Sequence, residues 1–320
     1  MVHFTQLNKK QKILGIILVS SILLILIPIL LLRFLPYPEL NVFLNERQYS
    51  TRIFDCNQNL VQILSLEEGL RREYTEFSDI PKEVIEAFIK AEDQHFYSHI
   101  GIDIGAIFRA TFQNVSNKTT ISGASTITMQ LARIISPSPN RNIFAKIKET
   151  INALRLELRL SKDEILELYL NNLPFGFNTE GVTSAAKTFF GKELISLTKE
   201  EILSLAVIPR RPQSYNPLTN PEKCAERASE VFEYPKEKIL SATKNAKQFK
   251  YPFLMPHYIQ FLIDNEEKNQ IGIYQKEDII LSASLDVQLL AEELLSKELE
   301  KYRDNRISNG AILVTDTQTG

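Results

Sequence analysis

Cysteine is scarce in this sequence: only Cys56 and Cys224 occur among 320 residues. They lie far apart and without CxxC spacing, so neither a structural zinc site nor a disulfide framework is indicated, and one Cys56–Cys224 bridge is the only pairing open. An excess of one charge sign is also missing. The net charge is −2, which gives no ground for a nucleic-acid partner. The zinc-protease string HExxH does not occur.

Near the N-terminus it is charge that is lacking. Ile13 to Leu32 holds no charged residue, and only Gly15, Ser20, Ser21 and Pro28 interrupt its aliphatic run. That length spans a bilayer core. Lys9, Lys10 and Lys12 precede it and only Arg33 follows closely, a bias that holds the N-terminus in the cytoplasm and sends the rest across. No small-x-small cleavage site follows; the chain continues Arg33-Phe34-Leu35-Pro36-Tyr37-Pro38. The expectation is a cytoplasmic tail at 1–12 and an uncleaved signal anchor at 13–35.

The densest chemistry lies in Ala91-Glu92-Asp93-Gln94-His95-Phe96-Tyr97-Ser98-His99-Ile100-Gly101-Ile102-Asp103. The segment before it reads as a helix. Pro81 suits a first turn, Asp79 or Ser78 is placed to cap it, and Val84, Ile85, Phe88, Ile89 and Phe96 recur at helical spacing. Glu92 falls on that apolar stripe. A carboxylate there is either paired or has a raised pKa, and such a group can serve as a general base. The plainer alternative is an acid at a helix end that caps, or pairs with Arg109 or a lysine. His95 and His99 are spaced i, i+4 and suggest a metal pair with Glu92, but no glutamate follows the first histidine, and ligation by both is disfavoured.

Elsewhere the pattern from Pro81 to about Leu205 is mainly helical. Ser161-Lys162-Asp163-Glu164 is a capping box stapled by Leu160 and Ile165, and Thr198 to Glu201 repeats it with Leu197 and Ile202. Gly191 marks a helix end. Short strands are expected within 41–77, a strand at Ile279 to Leu285, a helix at Val287 to Tyr302 and a strand at Gly310 to Asp316. The sequons at Asn114 and Asn117 read as loop composition.

Four further stretches carry chemistry. Ser122 to Arg133 is a small-residue turn entering a helix. It either offers backbone N–H groups to an anion or is simply capped by Ser122 or Ser125, the better-supported choice. Lys146, Lys148, Glu149, Arg155 and Arg159 share a helix, by default a solvated face. Glu167 to Gly176 ends a helix in a Pro/Gly loop. Pro209 to Pro217 is a basic, proline-stiffened loop.

Taken in order, these stretches resemble the glycosyltransferase domain (family 51) of class A penicillin-binding proteins. Glu92-Asp93-x-x-Phe96-x-x-His99-x-Gly101-x-Asp103 resembles the family's first motif. Gly123-Ala124-Ser125-Thr126-x-Thr128-x-Gln130-Leu131 resembles the second and Lys146-x-x-Glu149 the third. Tyr169-Leu170-Asn171 with Pro174-Phe175-Gly176 resembles the fourth, and Ala206-x-x-Pro209-x-x-Pro212-x-x-Tyr215-Asn216-Pro217 the fifth. Thr128-Met129-Gln130 with Arg133, followed by Ser136-Pro137-Ser138-Pro139, is most similar to the penicillin-binding protein 1C branch.

The resemblance implies a mainly α, lysozyme-like glycosyltransferase domain at 79–235 beneath a small membrane-proximal lobe at 36–78. It implies polymerisation of lipid II on the outer face of the bacterial plasma membrane, where the partners are the growing glycan strand, membrane lipid and other cell-wall synthesis proteins. Glu92 matches the general base and Glu149 the second carboxylate, which assists the pyrophosphate or an associated divalent cation, Mg²⁺ or Mn²⁺. Lys146, Arg133 and Arg141 match positions near the phosphate, with Lys148 close in sequence. Asp93, Phe96, His99, Thr126 and Gln130 match the remaining positions of the first two motifs. Three departures stand out: Ala145 where many relatives carry Arg, Arg133 where many have Lys, and Ala124 for a common Gly.

A linker is expected at 236–308 and the opening of a truncated transpeptidase domain at 309–320. No KTG string occurs, and the SxxK strings at Ser184, Ser196 and Ser241 read as chance. A muramidase-like hydrolase and a catalytically silent membrane scaffold are the competing classes.

Overall fold

The computed structural model describes residues 9–106, 125–140, 142–265, 272–315 and 317. The chain forms two compact units. One comprises residues 1–47, 76–173 and 227–234, and the other 48–75, 174–226 and 235–320.

The first unit is helical. Helix α1 (Lys9–Phe34) has 26 residues and no acidic one, more than the roughly 20 a bilayer core requires. Helix α2 (Pro38–Glu46), which no sequence pattern suggested, starts on its proline and buries Leu40 and Phe43. Helix α3 (Lys82–Glu92) follows. Its N-cap is Pro81, without a side-chain cap from Asp79 or Ser78. The helix also stops earlier than the apolar spacing suggested: Asp93 takes φ −159°, and Phe96 re-enters in a separate turn at Phe96–Ser98. His95 and His99 are therefore not one turn apart on a helix.

Helix α4 (Ile127–Ile135) packs against both α5 (Ile143–Glu157) and α6 (Lys162–Asn172). Leu131, Leu156 and Ile165 from these three are fully buried. The basic end of α5 is not the solvated face its composition suggested. Arg159 donates to the carbonyls of Leu32 at 2.6 Å and Leu35 at 2.7 Å. Arg155 donates to those of Leu35 and Pro36 and stands 4.3 Å over the Tyr37 ring. The free carbonyls that end α1 thus find cationic donors.

Helix α6 opens with the expected capping box. Ser161 Oγ accepts from the Glu164 N–H, and Glu164 Oε2 accepts from the Ser161 N–H at 2.7 Å. The Ser161 backbone N–H first, and then its hydroxyl, hold the Glu164 carboxyl below the usual range. A depressed folded pKa contributes stability that is present above the ordinary Glu value and is lost as pH falls through the folded one. Glu164→Ala is expected to cost roughly 0.5–1 kcal/mol at neutral pH. The gap to wild type should narrow in acid, as read by thermal unfolding in detergent micelles at both pH values.

The second unit opens on the antiparallel pair β1 (Arg52–Phe54) and β2 (Leu60–Ile63). A tight antiparallel pair follows, β3 (Pro174–Gly176) and β4 (Thr179–Glu180). Then come α7 (Val182–Phe190), α8 (Lys199–Val207), α9 (Pro221–Phe232, shared between the units), α10 (Lys236–Lys244) and α11 (Pro256–Asp264). Helix α7 ends at Gly191 with φ 65°, and α8 starts from the Thr198–Glu201 capping box, both as expected. Strand β5 (Ile279–Ile280) joins β1 in parallel, and α12 (Leu285–Lys301) follows, with a 3-10 turn at Arg303–Asn305 after it.

Much of the stretch expected as a linker is packed. Met255, Ile259 and Leu262 of the α11 region share a core with Ile53, Val61 and Leu64. The prolines hid this, because the apolar spacing is short and the partner strands lie about 200 residues earlier. The strand expected at Ile279 to Leu285 shrinks to two residues, and residues 310–315 form no strand. A strand exists only with a paired neighbour, and among the described residues that segment has none.

Candidate active site

Glu92 is the last residue of α3 and is half-buried. Its Oε2 accepts a hydrogen bond from Gln130 Nε2 of α4 at 2.8 Å. Gln130 Oε1 accepts in turn from the Tyr169 hydroxyl of α6 at 3.2 Å. Tyr169 is fully buried. Burial first, and then the Glu92 charge, push its phenol well above the ordinary value, so it stays protonated and donates. Three helices therefore converge on one carboxylate. Arg133, one turn beyond Gln130 on α4, faces the same phenol.

A second knot fixes the turn after Glu92. Asp93, 7% exposed, accepts from the Ile127 N–H at 3.0 Å and from His99 Nε2 at 3.0 Å. His99 Nδ1 accepts from the Gly101 N–H at 3.0 Å, which leaves the ring proton on Nε2 to face Asp93. The Thr126 hydroxyl donates to the Gly101 carbonyl and accepts from the Met129 N–H, so Thr126, not Ser122 or Ser125, caps α4. The amides at this helix start meet a protein carboxylate and a hydroxyl, which also suit its dipole; the site read for an external anion is taken by Asp93. Gly101 has φ +87°, and a Cβ there would lie 3.1 Å from the Ala153 carbonyl oxygen, so only glycine fits.

Beneath this turn Glu157 accepts from the Thr128 hydroxyl at 2.6 Å and from Lys162 Nζ at 2.7 Å. Lys162 also donates to the His99 carbonyl and stands 4.4 Å over the ring of Phe96, which is fully buried. Asp93, Phe96, His99 and Thr126 thus make up the frame that holds Glu92 and Gln130.

The third cluster is ionic. Lys146 Nζ donates to Glu149 Oε2 at 3.0 Å, one turn along α5, and to Ser125 Oγ at 2.7 Å. Lys146 is 44% exposed and Glu149 14%, so the ammonium faces outward. Lys148 is exposed, two residues beyond Lys146 but three beyond Ala145, so it lies on the side of the helix where the missing Arg would stand rather than beside Lys146. Arg141, Gly123 and Ala124 lie outside the described residues. His95 pairs with Asp103 at 3.2 Å instead of joining His99.

The sequence pointed to Glu92, Gln130, Lys146 and Glu149, but it gave Tyr169 no role, offered Ser125 only as a cap and motif member and Lys162 only as part of a capping box, and left Glu157 unmarked. Tyr169 had a signal: a hydroxyl among the aliphatics of a buried stripe needs a partner.

A carboxylate aimed by an amide, with an exposed ammonium on a neighbouring helix, suits an enzyme that deprotonates a hydroxyl while an anionic group departs. Residues 57–236, more than half of the chain, match the family model described as Transglycosylase. Penicillin-binding protein 1F of Bacillus subtilis (strain 168) is 38% identical over 70% of this chain and 31% of its own length. Penicillin-binding protein 1A of Escherichia coli (strain K12) is 34% identical over 76% and 31%. Penicillin-binding protein 1A of Aquifex aeolicus (strain VF5) is 30% identical over 90% and 41%. The chain belongs to the transglycosylase family of penicillin-binding proteins, and it spans less than half the length of these relatives.

Proposed function

We propose that this chain polymerises lipid II into glycan strands, as a peptidoglycan glycosyltransferase. The observation that carries the reading is Glu92 held at 2.8 Å by Gln130, a half-buried acid oriented for proton transfer from a substrate hydroxyl. Glu92 takes the proton from the 4-hydroxyl of the acceptor GlcNAc, which attacks C1 of the donor MurNAc with inversion. The departing lipid pyrophosphate needs neutralisation more than an acid. Lys146 supplies it, with Arg133 and Arg141 as further cations. Glu149 orients Lys146.

A divalent cation, which the family resemblance allows, would meet one carboxylate in this cluster, and that one is engaged by Lys146. Among the described residues no group of three His, Cys, Asp or Glu side chains is set to hold a metal. Among the described residues this cluster does not fit a resident cation, and no step here uses one.

Membrane delivery of the substrate is supported on the same helix. Ile143, Phe144, Ile147 and Ile151 of α5 are exposed beside Lys146, where water is a poor neighbour and lipid a good one. The anchor at 13–35, with lysines before it, supports an N-terminus in the cytoplasm and catalysis on the outer face. The Thr128-Met129-Gln130 tract with Arg133 supports placement near the 1C branch.

The test is the purified chain with lipid II in detergent. The expected result is lengthening glycan polymer and released undecaprenyl pyrophosphate. Soluble muropeptides released from cell wall, with no polymer from lipid II, would assign a hydrolase instead. No product from either substrate, with the protein folded, would leave a scaffold.

A further inference from the structure

We propose that Tyr169 is a positioning residue for the base: its hydroxyl locks the Gln130 carboxamide in the orientation that turns an N–H onto Glu92. The inference rests on the general-base reading of Glu92 given above. Its ground is a hydrogen-bond chain with one consistent set of donors. A carboxylate only accepts, so Glu92 Oε2 must meet the amino end of Gln130. The carbonyl end of Gln130 is then turned to Tyr169, and a donating phenol satisfies it.

Helix α6 holds that phenol rigidly. Ile165, Leu166, Tyr169 and Leu170 are all fully buried, a stripe with no packing need for a hydroxyl. The charged groups facing it are Glu92 and Asp93 from the end of α3 and Arg133 from α4.

Without Tyr169 only Glu92 itself orders the Gln130 amide, whose two ends are nearly equal in shape, and the amide is held less firmly. The wrong end sets an oxygen against the carboxylate and pushes the base out of line. The right end donates to the ionised form and favours it. Tyr169 therefore acts on Glu92 twice, through one neighbour: it aims the carboxylate and helps keep it charged.

The test is Tyr169→Phe in the full chain, assayed for lipid II polymerisation across pH. The expected result is a drop in kcat on the order of tenfold, a KM within about twofold of wild type and an acid limb moved to higher pH. Added to Gln130→Leu, the same substitution should cost little more, because its hydrogen-bonded route to the base has gone. A further tenfold loss in that background, or a rate loss with the acid limb unmoved, overturns the proposal and leaves Tyr169 a packing residue. If Tyr169→Phe folds poorly by melting temperature, a fluorotyrosine at 169 replaces it. This is a stronger donor of nearly the same shape, and it should move the acid limb to lower pH; an unmoved limb overturns the proposal. Wild type in the same assay separates the two failures. An inactive wild type removes the glycosyltransferase reading, whereas an active wild type with an unchanged Tyr169→Phe profile removes this proposal alone.

Discussion

Glu92→Gln should lower kcat for lipid II polymerisation by about 10²–10⁴-fold, the range a positioned general base supplies, with KM and melting temperature close to wild type. The substitution keeps the shape of the side chain. Gln130 Nε2 donates to Glu92 Oε2 at 2.8 Å, and a glutamine at 92 can present its carbonyl oxygen to the same N–H. The Gln130–Tyr169 bond at 3.2 Å is then undisturbed, and so are Asp93 and His99, which hold the following turn through the Ile127 and Gly101 amides. These bonds are kept while the charge and the basicity of residue 92 are lost. Lys146, paired with Glu149 on α5, is untouched, so on the function proposed above substrate binding should survive. That split between kcat and KM is the decisive readout, because an interaction felt only in the transition state lowers kcat while leaving binding alone. A Glu92→Gln chain that polymerises at the wild-type rate would remove Glu92 from the chemistry. A proportional rise in KM would make it a binding residue.

What the sequence made legible is what local chemistry decides. The capping boxes at Ser161–Glu164 and Thr198–Glu201, and the left-handed Gly191 that ends α7, lie within a few residues of the partners they need, and all three are found where expected. The end of α3 is different. Its apolar spacing continues to Phe96, yet Asp93 breaks the helix. The partner that draws Asp93 away is the Ile127 N–H, 34 residues on. The same distance problem hid the jobs of Arg155 and Arg159. A charged run on a helix reads as solvated until the carbonyls of Leu32 and Leu35 are brought to it across more than a hundred residues. Strand β5 is two residues long and exists because β1 offers it an edge. In the site, residue types singled out the candidate acid and cations, whereas the Tyr169 hydroxyl meets its partner only once α4 and α6 are packed together.

Lys187→Met should destabilise the second unit by about 3–5 kcal/mol, the cost of stranding a buried charge. Lys187 and Glu73 are 1% and 0% exposed and meet at 2.5 Å. Ser184 of the same helix accepts from the Glu73 N–H at 2.8 Å. The SxxK string Ser184–Lys187 is thus explained without catalysis: its two side chains bind the segment around Glu73 to α7. Burial pushes the Glu73 carboxyl up, and the Lys187 ammonium draws it back. With methionine at 187 that pull is gone, and Arg52, the other cation acting on Glu73, is itself paired with Asp278. Glu193, the other acid near Lys187, is half exposed and can be solvated instead. The sign of the pH dependence follows. A carboxyl whose folded pKa lies above its unfolded value contributes stability that is fully present below the unfolded pKa and is lost as pH rises through the folded one. The Lys187→Met protein should therefore melt higher in mild acid than at neutral pH. Adding Glu73→Leu removes the stranded charge and should recover most of the loss, since replacing both members of a buried pair by apolar groups is often neutral. Thermal unfolding of wild type, the single variant and the double variant at two pH values decides it. A single variant as stable as wild type, or a double variant weaker than the single, would mean that the pair does not hold this segment to α7.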